Sequence, residues 1–107
     1  MSSSPRPLLL GYIRAQVLSS RIEVPAVEEE LAAFADRENF CLGTVYIERG
    51  SAPGAFRQML SELERDETAF GIVVPGLHHL TSAERQIVGA AQHATGLRIV
   101  VAHVGLL

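Results

Sequence analysis

The sequence predicts an α/β fold: a three-layer α/β/α sandwich on a mostly parallel sheet of four or five strands. Three observations carry this. Short apolar runs recur four times, amphipathic stretches alternate with them, and turn-forming residues separate the two kinds of segment. Such alternation implies parallel strands joined by right-handed crossovers, with helices on both faces of the sheet.

Residues 1–7 are a polar Ser/Pro lead-in expected to be disordered, which leaves one domain over residues 8–107. Residues 8–14 (L-L-L-G-Y-I-R) form an apolar run that closes on polar groups, the pattern of a buried strand. Residues 15–25 are irregular, hold Ser19, Ser20 and Arg21, and read as a loop. Val27, Leu31, Phe34 and Ala35 then fall at helical spacing with Glu28 to Glu30 outward, giving an amphipathic helix. Residues 40–47 are the second strand, with Cys41 buried in it as a small hydrophobe. After a loop over residues 50–54, Pro53 stands where a helix can begin, and Phe56, Met59, Leu60 and Leu63 form its apolar stripe. Residues 70–74 are a third buried strand, stopped by Pro75-Gly76. Thr81-Ser82-Ala83-Glu84 has capping-box spacing and opens a third helix through Ile87, Val88, Ala91 and Thr95, with Gly96 as its stop. Residues 97–102 are the fourth strand, and residues 104–107 can extend the sheet.

A chain of 107 residues suits one domain and can bury a core without staples. With 48% apolar and 20% charged residues it is not a disordered chain. The absence of Lys excludes Schiff-base catalysis, the phosphate-binding Lys of P-loops and the Lys of receiver domains. A net charge of −3 leaves no global footprint for nucleic acid, so DNA contact would need a local Arg cluster. The single Cys41 excludes an intrachain disulfide and a thiolate zinc site. No glycine-rich phosphate cradle is present and no cofactor is expected. The apolar run at residues 8–10 is too short for a signal peptide or a membrane span. The expectation is a soluble cytoplasmic protein, and the Arg-, Ala- and Gly-rich composition suits a GC-rich bacterial genome.

In a parallel sheet the functional crevice lies beyond the carboxyl ends of the strands. Residues 14–21, 48–54 and 75–82 converge there. The residues in these segments resemble a known family. Gly11-Tyr12-Ile13-Arg14 is similar to the G-Y-x-R-x-S opening of serine recombinases of the resolvase/invertase type. The resemblance continues through an acidic helix, a strand ending in Tyr46-Ile47-Glu48, and a Gly50-Ser51 loop before a helix with Phe56 and Leu60. A Val-Val strand then runs into Leu77-His78-His79-Leu80-Thr81-Ser82, where the family has D-R-L-S-R. Residues 8–104 are covered. The resemblance implies the strand order 2-1-3-4 and a link to DNA recombination and DNA binding.

Departures from the pattern bear on activity. Gln16 stands at the position of the nucleophilic Ser, and a carboxamide cannot form a phosphoserine linkage. Arg14 matches one of the arginines with which the family neutralises phosphate. His79 and Ser82 stand where two others belong, His78 replaces the Asp, and the loop Ser51-Ala52-Pro53-Gly54 offers no further Arg. The chain also stops near where the family's dimerisation helix and helix-turn-helix would follow. The expectation is therefore a degenerate stand-alone pseudoenzyme with no catalytic residues, acting by binding to an unidentified protein partner and loosely, if at all, to DNA. The alternative is a small module binding anions, nucleotides or DNA phosphate through Tyr12, Arg14 and Gln16. A third reading is an active recombinase using Ser19 or Ser20, which would still need a positioned base and charge neutralisation.

Tyr12 and Arg14 are two apart on one strand and share a face. They form either an anion subsite or a buried Tyr beside an Arg paired with a carboxylate such as Glu48. His78 and His79 invite a metal reading, but adjacent side chains rarely aim at one ion, and His93 and His103 belong to other elements. They are read as loop histidines, with no metal. Asp36 and Asp66 fall at helix ends, which disfavours a two-carboxylate nuclease, and Glu62, Glu64, Asp66 and Glu67 read as a solvated helix face. The apolar end Val104-Gly105-Leu106-Leu107 can add to a neighbour's sheet edge, which points to a homodimer.

Overall fold

In a computed structural model, which describes residues 6–19, 21–50 and 53–104, the apolar runs assemble into one parallel sheet. Its strands are β1 (Leu8–Arg14), β2 (Cys41–Glu48), β3 (Ala69–Val74) and β4 (Arg98–Val101), in the order β2-β1-β3-β4. The helices between them are α1 (Val24–Arg37), α2 (Gly54–Arg65) and α3 (Ser82–Thr95). The α/β class, the parallel sheet and the 2-1-3-4 order are those expected. Among the described residues there is no fifth strand. Past β4 the chain follows β3 through Ala102 N–H donating to the Val74 carbonyl and Val104 N–H to that of Pro75. Residues 105–107, expected to add to a neighbour's sheet, lie outside the described residues.

β1 and β3 are the inner strands, so both of their faces must be apolar. Leu10, Tyr12, Ile72 and Val74 face α2 and α3 and pack with Phe56, Met59 and Val88. Leu9, Ile13 and Val73 face the other way and pack with Val24, Val27 and Leu31 of α1. Each such fully buried aliphatic side chain contributes about 1.5–3 kcal/mol relative to exposure, which makes these two clusters the main stabilising elements.

Local chemistry sets the boundaries. Thr81 accepts from the Glu84 N–H while the Glu84 carboxylate accepts from the Thr81 N–H, so the expected capping box opens α3. Gly96 closes it at φ +77°, a left-handed conformation open to glycine at little cost. α1 begins earlier than expected, at Val24 with Pro25 in its first turn, and residues 15–17 of the preceding loop form a 3-10 turn. Gly71 is required by the sheet: a Cβ there would overlap the Arg98 carbonyl of β4.

Three burial expectations are corrected. Cys41 is exposed, because it opens the edge strand β2, which has a neighbour on one side only. Phe70 is exposed near the start of β3, and Ile87 is exposed because α3 turns Glu84 and Val88 inward and leaves Ile87 about 100° away from Val88. Of the lead-in, residues 1–5 lie outside the described residues. Arg6 pairs with Asp36 at 3.0 Å on the surface, and the Pro7 carbonyl accepts from Cys41 N–H. No helix among the described residues is long and apolar enough to cross a membrane.

Candidate functional site

Parallel strands bring their carboxyl ends to one edge of the sheet. There Arg14 of β1 is in register with Glu48 of β2, and the turn after β3 (Leu77–His79) leads into α3. Strand alternation points Tyr12 and Arg14 towards α2 and α3, and α3 delivers Glu84 from its first turn. Tyr12, Arg14, Glu48, His79 and Glu84 meet in one buried polar cluster.

Arg14 is held on several sides. Its Nη2 donates to Glu84 Oε1 at 2.7 Å and to Tyr12 Oη at 3.3 Å. Its Nε donates to the His79 carbonyl, and its backbone N–H donates to His79 Nδ1 at 2.9 Å. Of the two readings of this position, the buried Tyr beside a carboxylate-paired Arg is the one found, with Glu84 in place of Glu48 as the carboxylate. The Glu48 carboxylate instead accepts from the N–H groups of Ala55 and Phe56, and so caps α2, which has no side-chain cap at Pro53. Glu84 is thus both the capping-box residue of α3 and the counterion of Arg14.

The electrostatics follow from this packing. Burial, then the neighbouring Glu84 carboxylate, holds the Tyr12 phenol far above its ordinary range, so it remains a neutral hydroxyl. Burial works against the Arg14 charge, but the Glu84 hydrogen bond and the surrounding acceptors outweigh it and raise its pKa. His79 is pushed down to about 4, first by burial and then by His78 and Arg14. Because its Nδ1 accepts a hydrogen bond, the ring proton is on Nε2, a buried atom with no partner among the described residues.

The remaining expected site residues separate. Gln16 is exposed on the turn after β1 and takes no part in the cluster. Ser19 is exposed, with its Oγ accepting from the Arg21 N–H. His78 is exposed and packs its ring 4.7 Å from that of His79, and Ser82 is exposed at the start of α3. Ser20, Ser51 and Ala52 lie outside the described residues. His79 lies, as read, in the loop before α3, and it is fully buried there because the turn folds it under Arg14. Among the described residues no three His, Cys, Asp or Glu side chains gather as metal ligands would.

The chain matches no protein-family model, no curated protein and no solved structure.

Hollows among the described residues flank the sheet at both ends. One of about 410 Å³ lies at the carboxyl edge beside Ala15, Ser19, Glu23 and Arg49. The larger, about 800 Å³, is at the opposite end, between α2 and α3. Sequence reasoning missed this groove and the pairing of Glu84 with Arg14. The signal for the second was present: a capping Glu opening the helix that starts at the crevice.

Proposed function

We propose that the chain is a catalytically silent domain of serine-recombinase type that works by binding a protein partner, in a regulatory or scaffolding role. The observation that carries this reading is the closure of Arg14 by Glu84 at 2.7 Å. A phosphate approaching the guanidinium would have to displace a buried carboxylate and would meet Glu48 beside it. Neutral His79 adds no cation in place of the missing arginines, and Gln16, at the nucleophile position, offers a carboxamide. The alternative of an anion or DNA-phosphate module needs the same guanidinium and is weakened by the same closure.

The test incubates the protein with supercoiled and nicked DNA, followed by denaturing electrophoresis, and measures DNA binding by anisotropy at low and moderate salt beside Arg14→Gln. The expected result is no covalent adduct and no Arg14-dependent affinity. An adduct lost in Ser19→Ala or Ser20→Ala would overturn the reading. Affinity that falls steeply with salt and disappears in a folded Arg14→Gln variant would move the assignment to a phosphate-binding module.

A further inference from the structure

We infer that the groove between α2 and α3 is a docking surface for a cationic amphipathic helix of a partner protein. The groove lies at the amino ends of the strands, away from the polar cluster. Its apolar lining comes from Leu60 and Leu63 of α2, Ile87 and Ala91 of α3, Phe70 of β3 and Leu97. Phe70 and Ile87 are 38% and 47% exposed, two of the few large apolar side chains left to solvent, and they share this hollow. Apolar side chains concentrated in one concavity mark a binding surface more than scattered ones do.

Charge selects the occupant. Glu64, Asp66 and Glu67 line the same groove, while no Arg or His is among the described residues that do. Arginines beside the lining residues are directed elsewhere: Arg65, next to Glu64 and Asp66 in the chain, acts on Tyr46 of β2. Arg6 pairs with Asp36, and Arg98 shares the α1 side of β4 with Val100, opposite to Ile99. An apolar floor beside carboxylates that make no ion pair among the described residues fits an apolar stripe flanked by Arg or Lys. Geometry selects a helix. The walls are helical ridges, with Ile87, Ala91 and Thr95 spaced four residues apart on α3. They extend about 12 Å at 1.5 Å per residue, room for two to three turns of a third helix packed ridge into groove. A volume of about 800 Å³ accommodates several aliphatic side chains from such a stripe.

This inference rests on the binding role proposed above and supplies its partner's chemistry. The two fail separately, since that role is tested on DNA and this surface on peptides. The probe is a fluorescein-labelled synthetic helix of about 14 residues with Leu at i, i+3, i+4 and i+7 and Arg on its flanks, titrated into the full chain. A second peptide has the same Leu stripe with Glu flanks. The cationic peptide should bind with a Kd of about 1–100 μM, and the acidic one at least about tenfold more weakly. Ile87→Ser, at an exposed position that leaves folding intact, should weaken binding about tenfold, and Glu64→Gln/Glu67→Gln should flatten its salt dependence. Equal affinity for both peptides, binding unchanged in Ile87→Ser, or no binding up to about 1 mM would each overturn the inference. So would a dimer in light scattering that Ile87→Ser disperses, because the occupant would then be a second copy of the chain.

Discussion

Replacing Glu84 by alanine removes the only carboxylate that pairs with Arg14 among the described residues, and the loss should be large. The two side chains are 12% and 7% exposed, so the guanidinium left behind has little access to water. Removing one partner of a buried ion pair costs about 3–5 kcal/mol, and the hydrogen bonds Arg14 keeps to Tyr12 and His79 place this case near the low end. Half of the α3 capping box disappears as well, about 1 kcal/mol more. A total near 4 kcal/mol corresponds to a fall in Tm of about 18 °C for a domain of this size. Glu84→Gln keeps an acceptor for the Thr81 N–H and should lose about half as much. Thermal unfolding followed by circular dichroism reads these values. Combining Glu84→Ala with Arg14→Met should recover stability relative to Glu84→Ala alone, because no unpaired charge then remains. A Glu84→Ala loss below about 1 kcal/mol, the range of a solvent-exposed pair, would refute the description of Arg14 as closed.

Three further outcomes follow from the same structure. Stability should fall as the pH drops from about 6.5 towards 4, because the unfolded His79 takes up a proton that the native ring, with a pKa of about 4, refuses; in His79→Gln this part of the pH dependence of urea unfolding should flatten. Gly71→Ala should lose more than about 3 kcal/mol or fail to fold, since its methyl overlaps the Arg98 carbonyl; a soluble variant of unchanged Tm would contradict the strand approach. Cys41 should react with a maleimide in the native protein, whereas modification only after unfolding would place it in the core.

The fold was legible because its signals are local. The stripe Val27, Leu31, Ala35 and the capping box at Thr81 each read out over one or two turns, and alternation of the runs selects a parallel sheet. The burial differences have two physical origins. Cys41 and Phe70 belong to apolar runs, but run composition does not say which strand lies at the edge or how far the helices reach along it. Ile87 looked like core because it adjoins Val88, and a helix separates adjacent residues by more than a quarter turn. At the site, the sequence put Tyr12 and Arg14 on one face and offered Glu48 as a counterion. It could not show that Glu48 was already committed to the N–H groups of α2. The choice of Glu84 is a tertiary fact, settled by where α3 begins in space.

The polar cluster also has a consequence for the order in which the chain folds. Arg14 meets Glu84 across 70 residues of sequence and His79 across 65, and Tyr12 meets Glu84 across 72. Pairing of β1 with β3 already closes loops of similar length, so once α3 has docked the cluster forms at little further closure cost; kinetics of Glu84→Ala read whether it forms after the folding barrier. Interactions made after the rate-limiting barrier leave the folding rate nearly untouched and act as a brake on unfolding. The Arg14–Glu84 contact would then work as a latch, setting how long the native state persists once formed.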